Sequence, residues 1–203
     1  RALGQHRAGW RGAIGPALHA PAQAMDIGVL QADGGPAQCF ASSLCVGFDA
    51  AVGARAHQAP RWLRGMPRYL MATLATLARL QRQRLRVTVD GVQLPAAEQL
   101  FASSLNTASY ASGMPVAPGA RIDDGELDLV LAGRFSRLGA LLTMPLLLSG
   151  LHLHHPRIRL LRYRQLRIES DTPLALALDG EPVPAARDLQ VSVRPQALRV
   201  VRP

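Results

Sequence analysis

From about residue 26 onward the apolar positions fall mainly in period two. Ile27, Val29 and Leu30 make a short run that stops at Asp33-Gly34-Gly35, and Cys39-Phe40-Ala41 answers it. Two such runs joined through a glycine-bearing turn read as a hairpin. Leu85, Val87 and Val89 alternate with Arg86 and Thr88 up to Asp90-Gly91, and Val92 and Leu94 return. An Asp-Gly pair between alternating runs is the strongest short-range hairpin signal in the chain. Further strands are predicted over Leu100–Leu105, at Leu127, Leu129 and Leu131, and as one long strand or a strand pair over Arg157–Ser170. Leu174, Leu176 and Leu178 then run up to Asp179-Gly180-Glu181, and Leu189, Val191 and Val193, followed by Leu198 and Val200, close the chain.

Two segments switch to helical period. After Pro67, which suits a first helical turn, Leu70, Leu74 and Leu77 recur at i, i+4, i+7 with Met71 and Leu80 beside them, predicting a helix packed on a sheet. Ser136 caps a second helix carrying Leu138, Leu141, Leu142 and Leu148. Pro145 is expected to kink or end it. At about 14 residues this apolar run is too short to span a bilayer. Packed core is its expected role, a wall for an acyl chain the sharper one. Ser42–Ala54 is rich in small residues, where backbones approach closely, and Asp49 is placed to cap a short helix. Residues 1–24, with Gly, Ala, Pro and His and room for a short helix near Trp10–Leu18, read as a connector. The expected fold is therefore mainly β: an antiparallel β-sandwich with two attached helices, formed by residues 25–203.

Composition sharpens this only in places. The 203 residues suit one core, 48% of them are hydrophobic and 4% aromatic, so Leu, Val, Ile and Ala must fill it. The formal charge is +9 and every basic residue is arginine, which implies an anionic partner. Without a basic stripe interleaved with aromatics, no nucleic acid is expected. Cys39 and Cys45 are expected to be buried thiols in a reducing, cytoplasmic compartment.

Candidate chemistry lies in two acidic loops. Ala117–Asp128 places Asp123, Asp124, Glu126 and Asp128 within six positions around Gly125. Carboxylates this close repel unless water, an arginine or a hard cation intervenes. The bland reading makes Asp124 an Asx turn and lets Asp128 face solvent. The second loop is Leu178-Asp179-Gly180-Glu181-Pro182, on the bland reading a hairpin turn with solvated carboxylates. His152, His154 and His155 lack a third ligand at zinc spacing, and the arginines beside them disfavour a cation.

The order of these pieces resembles a known family. Val46-Gly47-Phe48-Asp49-Ala50, an amphipathic helix, Val89-Asp90-Gly91, Asn106 with a glycine-bearing loop to Met114, Ala117-Pro118-Gly119-Ala120, Asp124-Gly125-Glu126-Leu127-Asp128, Gly150 with His152, and Leu178-Asp179-Gly180-Glu181-Pro182 occur in that sequence. Together they look like the C-terminal domain of the diacylglycerol kinase and sphingosine kinase family, in its bacterial lipid kinase branch. The resemblance covers about residue 25 to the C-terminus. It implies an ATP-dependent lipid kinase that phosphorylates diacylglycerol, a sphingoid base or a similar long-chain lipid at a peripheral membrane surface. The family's nucleotide loop, G-G-D-G-T in an N-terminal nucleotide-binding domain, does not occur here, so the chain is expected to be a C-terminal part that is inactive alone. The resemblance places Glu181 at the proton acceptor, Asp124 at a magnesium-binding aspartate, and the backbone carbonyls of Arg121 and Glu126 at its companion ligands. The family usually has glycines where Ala111 and Ser112 stand, and often asparagine where Ser42 stands. Two alternatives share the architecture: an NAD kinase-like nucleotide kinase domain, and a non-catalytic module that binds anionic lipid through Arg157, Arg159, Arg162, Arg164 and Arg167.

Overall fold

The computed structural model describes residues 21–59, 66–80, 82–110 and 113–201. The expected helix near Trp10–Leu18 and the positions of Ala111 and Ser112 lie outside these residues. The period-two runs form eleven strands: β1 (Ala22–Ala32), β2 (Gln38–Phe40), β3 (Ser43–Val46), β4 (Gln83–Val89), β5 (Val92–Gln93), β6 (Ala97–Gln99), β7 (Phe101–Leu105), β8 (Leu127–Ala132), β9 (Ile158–Tyr163), β10 (Gln165–Leu178) and β11 (Glu181–Val201). All pairings are antiparallel, in the order β2-β1-β11-β10-β3-β7-β8-β9, with β4 on β10 and β5 and β6 on β4. The last two strands are long rather than short. β10 changes partner along its length: Leu166–Ser170 pair with β4, whereas Leu176–Leu178 pair with β3. The β10–β11 register slips between Glu169 and Leu174 and again before Leu176. Such irregularities bend a strand, and here they carry it from one layer of the sandwich into the other.

The layers enclose a core of Leu30, Leu44, Val87, Leu129, Ile168, Leu189 and their neighbours. β8 is buried on both faces. Leu127, Leu129 and Leu131 enter this core, while Val130 and Ala132 enter a second one with Phe101, Leu105 and Phe135. Gly28 lies opposite Phe40, whose ring fills the space a side chain at position 28 would need.

Among the described residues there are three helices where two were expected: α1 (Phe48–His57), α2 (Met66–Ala78) and α3 (Arg137–Ser149), the last followed by a 3-10 turn at Leu151–His154. α1 escapes a search for leucine periodicity because alanines, Ala50 and Ala56, face the core. Gly47 (φ 92°), not Asp49, occupies its N-cap, with Asp49 in the first turn. α3 starts as expected, the Ser136 hydroxyl accepting from the Gly139 amide at 3.0 Å. It continues through Pro145 and stops at left-handed Gly150. Pro145 is exposed, so water can solvate the carbonyl it leaves free.

The packing of α2 and α3 overturns the expectation for their leucines. Of the α2 series Leu77 joins the core and Leu80 packs part-buried against it, alongside buried Ala72, Thr73 and Thr76, while Leu70, Met71 and Leu74 are exposed. In α3 the buried positions are Ala140 and Thr143, and Leu138, Leu141, Leu142 and Leu148 face outward. Both helices bury mainly small residues, with Leu77 and part-buried Leu147 as the large exceptions, and leave Leu70, Met71, Leu74, Leu138, Leu141, Leu142 and Leu148 exposed.

Candidate active site

Three Asp-Gly turns share one construction. At Asp33-Gly34, Asp90-Gly91 and Asp179-Gly180 both residues have positive φ, as a two-residue hairpin turn requires. In each, the aspartate then reaches across to a distant backbone. Asp33 accepts from the amides of Arg187 and Asp188 at 2.9 and 2.8 Å, bonds that hold its carboxyl below the usual carboxylate range. Asp90 accepts from those of Arg164 and Gln165 at 2.9 and 2.7 Å. Asp179 accepts from three: Ala41 at 2.8 Å, Ser42 at 2.7 Å and Ser43 at 2.9 Å. The Asp179 amide also donates to the Ser43 carbonyl at 2.8 Å. The turn is thus fixed, and it presents Glu181, the exposed first residue of β11, with no hydrogen bond or ion pair among the described residues.

The acidic loop before β8 is fixed by a residue the sequence reading used only as a boundary. Asp26, fully buried in β1, accepts from the amides of Gly125 and Gln196, each at 2.7 Å, and its own amide donates to the Ile122 carbonyl at 2.7 Å. Asp124 does form an Asx-type turn, accepting from the Glu126 amide at 3.2 Å. Its other oxygen lies 3.7 Å from Arg162, which also reaches Asp128 at 3.9 Å; Arg164 approaches Glu126 at 3.7 Å and Arg121 approaches Asp123 at 3.5 Å. Asp128 is buried rather than solvent-facing. Burial pushes its carboxyl up to about 6, against the pull of Arg162 and with the push of Asp124 and Glu126.

Arg121, Asp124 and Glu126 therefore share one loop, and Glu181 stands on another. Asn106 connects them. Its side-chain amide donates to the carbonyls of Asp26 (2.7 Å) and Ala41 (2.9 Å), and its backbone amide donates to that of Ser42 (2.9 Å). Ser42 and Thr107 share a hydroxyl contact at 2.8 Å. The route from Glu181's turn to the acidic loop thus runs through Asp179, residues 41–43, Asn106 and Asp26. The Asn106 Oδ1 is buried without a partner among the described residues. Sequence spacing could not find this route, because Asp26 and Asn106 lie 80 residues apart.

The donors expected in this loop, the Asp124 carboxylate and the carbonyls of Arg121 and Glu126, are all oxygen, the type a hard cation such as magnesium takes. Among the described residues no three His, Cys, Asp or Glu side chains gather to hold a metal ion. His152 is buried, with Nε2 3.0 Å from the Val116 carbonyl, and burial lowers its basicity. Cys45 is buried as expected, with its thiol pushed well up by burial, but Cys39 is exposed because it points away from the core on β2. A second polar cluster lies at the start of α1. Asp49 receives a hydrogen bond from Ser103, another from the Ala50 amide at 2.8 Å, and one from the Tyr110 hydroxyl at 3.4 Å. Burial pushes Asp49 up to about 6, and the Ser103 bond opposes that shift.

The fold and these loops define the class: an antiparallel sandwich in which one buried amide ties two acidic loops together. The family model described as the YegS C-terminal NAD kinase beta sandwich-like domain matches residues 42–202, and the chain belongs to that family. A diacylglycerol kinase of Mycobacterium tuberculosis (strain ATCC 25618 / H37Rv) is 33% identical over 184 residues, covering 89% of this chain and 58% of that protein. The diacylglycerol kinase of strain CDC 1551 / Oshkosh matches with the same figures. The chain thus spans 58% of the length of these curated relatives. Among solved structures, a diacylglycerol kinase from Bacillus anthracis str. Sterne superposes with a TM-score of 0.59 at 13% identity, over 90% of this chain and 54% of that one. A candidate diacylglycerol kinase from the same strain gives 0.65 at 17%, over 90% and 57%. At these identities the structures speak for the fold.

Proposed function

We propose that this domain is the substrate-side half of an ATP-dependent lipid kinase, transferring phosphate to the hydroxyl of diacylglycerol or a similar long-chain lipid alcohol at a peripheral membrane surface. The observation that carries the reading is Glu181: an exposed carboxylate without a side-chain partner among the described residues, on a turn held by four hydrogen bonds through Asp179. Most other carboxylates near the two loops are engaged. Asp179 and Asp26 hold backbone, and Asp124, Glu126 and Asp128 face arginines. In the reaction the lipid hydroxyl gives its proton to Glu181 as its oxygen bonds to the γ-phosphorus of ATP, and the bond to the bridging oxygen breaks to leave ADP. Little covalent work falls to the protein in such transfers, and holding the groups in place does most of it. Magnesium, held by the Asp124 carboxylate with the carbonyls of Arg121 and Glu126, would supply positive charge beside this chemistry. The family's nucleotide-binding domain is the partner that would bring the phosphates.

The non-catalytic reading through five arginines loses support. Arg162, Arg164 and Arg167 are committed to carboxylates, Arg167 as a two-point pair with Asp188 at 2.9 Å for each bond. The test is Glu181→Gln in the complete kinase. Turnover on a dispersed diacylglycerol should fall about 100- to 10,000-fold, with lipid KM and melting temperature little changed. Turnover within a few-fold of wild type would remove Glu181 from the mechanism.

A further inference from the structure

The outward leucines of α2 and α3 have no role in the chemistry above. On α3, Leu138, Leu141, Leu142, Pro145 and Leu148 follow one another at helical spacing along the exposed side, and Leu151 continues the stripe past Gly150. Leu138 and Leu142 are 65% and 66% exposed. On α2, Leu70, Met71 and Leu74 repeat the arrangement. The two helices touch each other, and Leu77 and Ala140 join the same core, so the stripes lie on neighbouring helices. Single exposed leucines are ordinary, but paired stripes of them mark a surface that meets something apolar.

The charge around them says what that is. No acidic residue occurs between Asp49 and Asp90, or between Asp128 and Glu169, the two stretches that contain these helices. Arg137 opens α3, Arg79 follows α2, and neither forms an ion pair among the described residues. A recess of about 530 Å³ joins the helices, lined by Leu80, Arg82, Ser136, Arg137 and Leu138 with Glu98. Glu98, its one carboxylate, is offset by Arg134 at 3.3 Å and Arg82 at 4.0 Å. Exposed leucines flanked by Arg79 and Arg137, neither of them in an ion pair among the described residues, match the boundary of an anionic bilayer, with acyl chains below and phosphates above. α3 has 13 residues, about 20 Å of helix, so it is suited to lie in that boundary and not to cross it.

We propose that the exposed apolar face of α2 and α3, with Arg79 and Arg137 at its margin, docks the protein on an anionic lipid bilayer. This deepens the kinase reading by naming the surface that meets the membrane. Because it is read without ATP or turnover, either can fail while the other stands.

The experiment is co-sedimentation of the 203-residue chain with vesicles of phosphatidylcholine alone or with 30 mol% phosphatidylglycerol, about a third anionic lipid. The wild type should partition to the anionic vesicles and bind phosphatidylcholine several-fold more weakly. The double variant Leu138→Ser, Leu142→Ser should lose about tenfold or more in partition coefficient at unchanged melting temperature, since both side chains are exposed. Arg137→Gln should lose about fivefold, an effect that added salt erases. Three outcomes overturn the proposal. One is no partition to anionic vesicles at low salt. Another is partition unchanged by the leucine variant, which would place binding on arginines elsewhere. The third is a wild-type dimer that the leucine variant converts to monomer without altering vesicle binding, which would make a second copy the occupant.

Discussion

Asp26 offers the sharpest test of how the acidic loop is held. Its carboxylate is fully buried and each oxygen takes one backbone amide at 2.7 Å, Gly125 on one side and Gln196 on the other. Asp26→Asn keeps the shape and leaves one acceptor oxygen, but turns an NH2 towards the other amide. One charge-assisted bond, typically about 1.5–3 kcal/mol, is lost, and a donor is left facing a donor at a further cost of about 1–3 kcal/mol. Removing a buried charge returns some desolvation energy, so the net loss should lie near the lower part of that sum, about 2–4 kcal/mol. For a domain of this size each kcal/mol moves Tm by about 2–4 °C, giving a fall of about 5–12 °C. Urea unfolding followed by circular dichroism measures the first number. Amide exchange at Gly125 and Gln196 locates it, and both should exchange faster while the amides of β4 do not. A loss below about 0.5 kcal/mol with unaltered exchange at Gly125 would refute Asp26 as the loop's anchor.

The remaining expectations concern three other carboxylates. Asp179→Asn keeps a residue that tolerates positive φ but weakens the hold on Ala41–Ser43, so it should cost about 1–2 kcal/mol and speed exchange at those three amides; unchanged exchange would contradict the hydrogen bonding seen here. Asp124→Ala should reduce the rise in Tm that magnesium produces, and an equal rise in both proteins would remove Asp124 from the metal site. Asp49 titrates near 6 when folded and near 3.8 when unfolded, so the native state holds its proton longer and stability falls as pH rises from about 4 to about 6. The full shift corresponds to about 3 kcal/mol, and the residue's partial solvent contact reduces this to about 1–2 kcal/mol. Asp49→Asn should flatten that part of the stability–pH curve, read by urea midpoints at pH 4, 5, 6 and 7; an unchanged slope would assign it to another group.

What the sequence alone determined about this protein is what local chemistry controls. Period-two alternation placed the strands, and Asp-Gly pairs placed the turns at residues 90 and 179, because a two-residue hairpin needs positive φ at both positions. Ser136 marked the start of α3 through capping, whereas its end, expected at Pro145, fell at left-handed Gly150. The order of short motifs was enough to expect a lipid kinase C-terminal sandwich, and the family match agrees. Only the tertiary structure decided where the turn aspartates point, since Asp33, Asp90 and Asp179 each accept from amides more than 70 residues away. It also decided that Arg162 stands against Asp124 and Asp128, and that Asn106 meets Asp26 across 80 residues of chain. The helices show the limit most plainly. A leucine stripe states that one side of a helix is apolar, but not whether that side turns inward. Here the buried positions of the two helices are taken by small residues, Ala72, Thr73, Ala140 and Thr143, while Leu70, Leu74, Leu138 and Leu142 are exposed, an arrangement set by what each helix packs against and not by its own sequence.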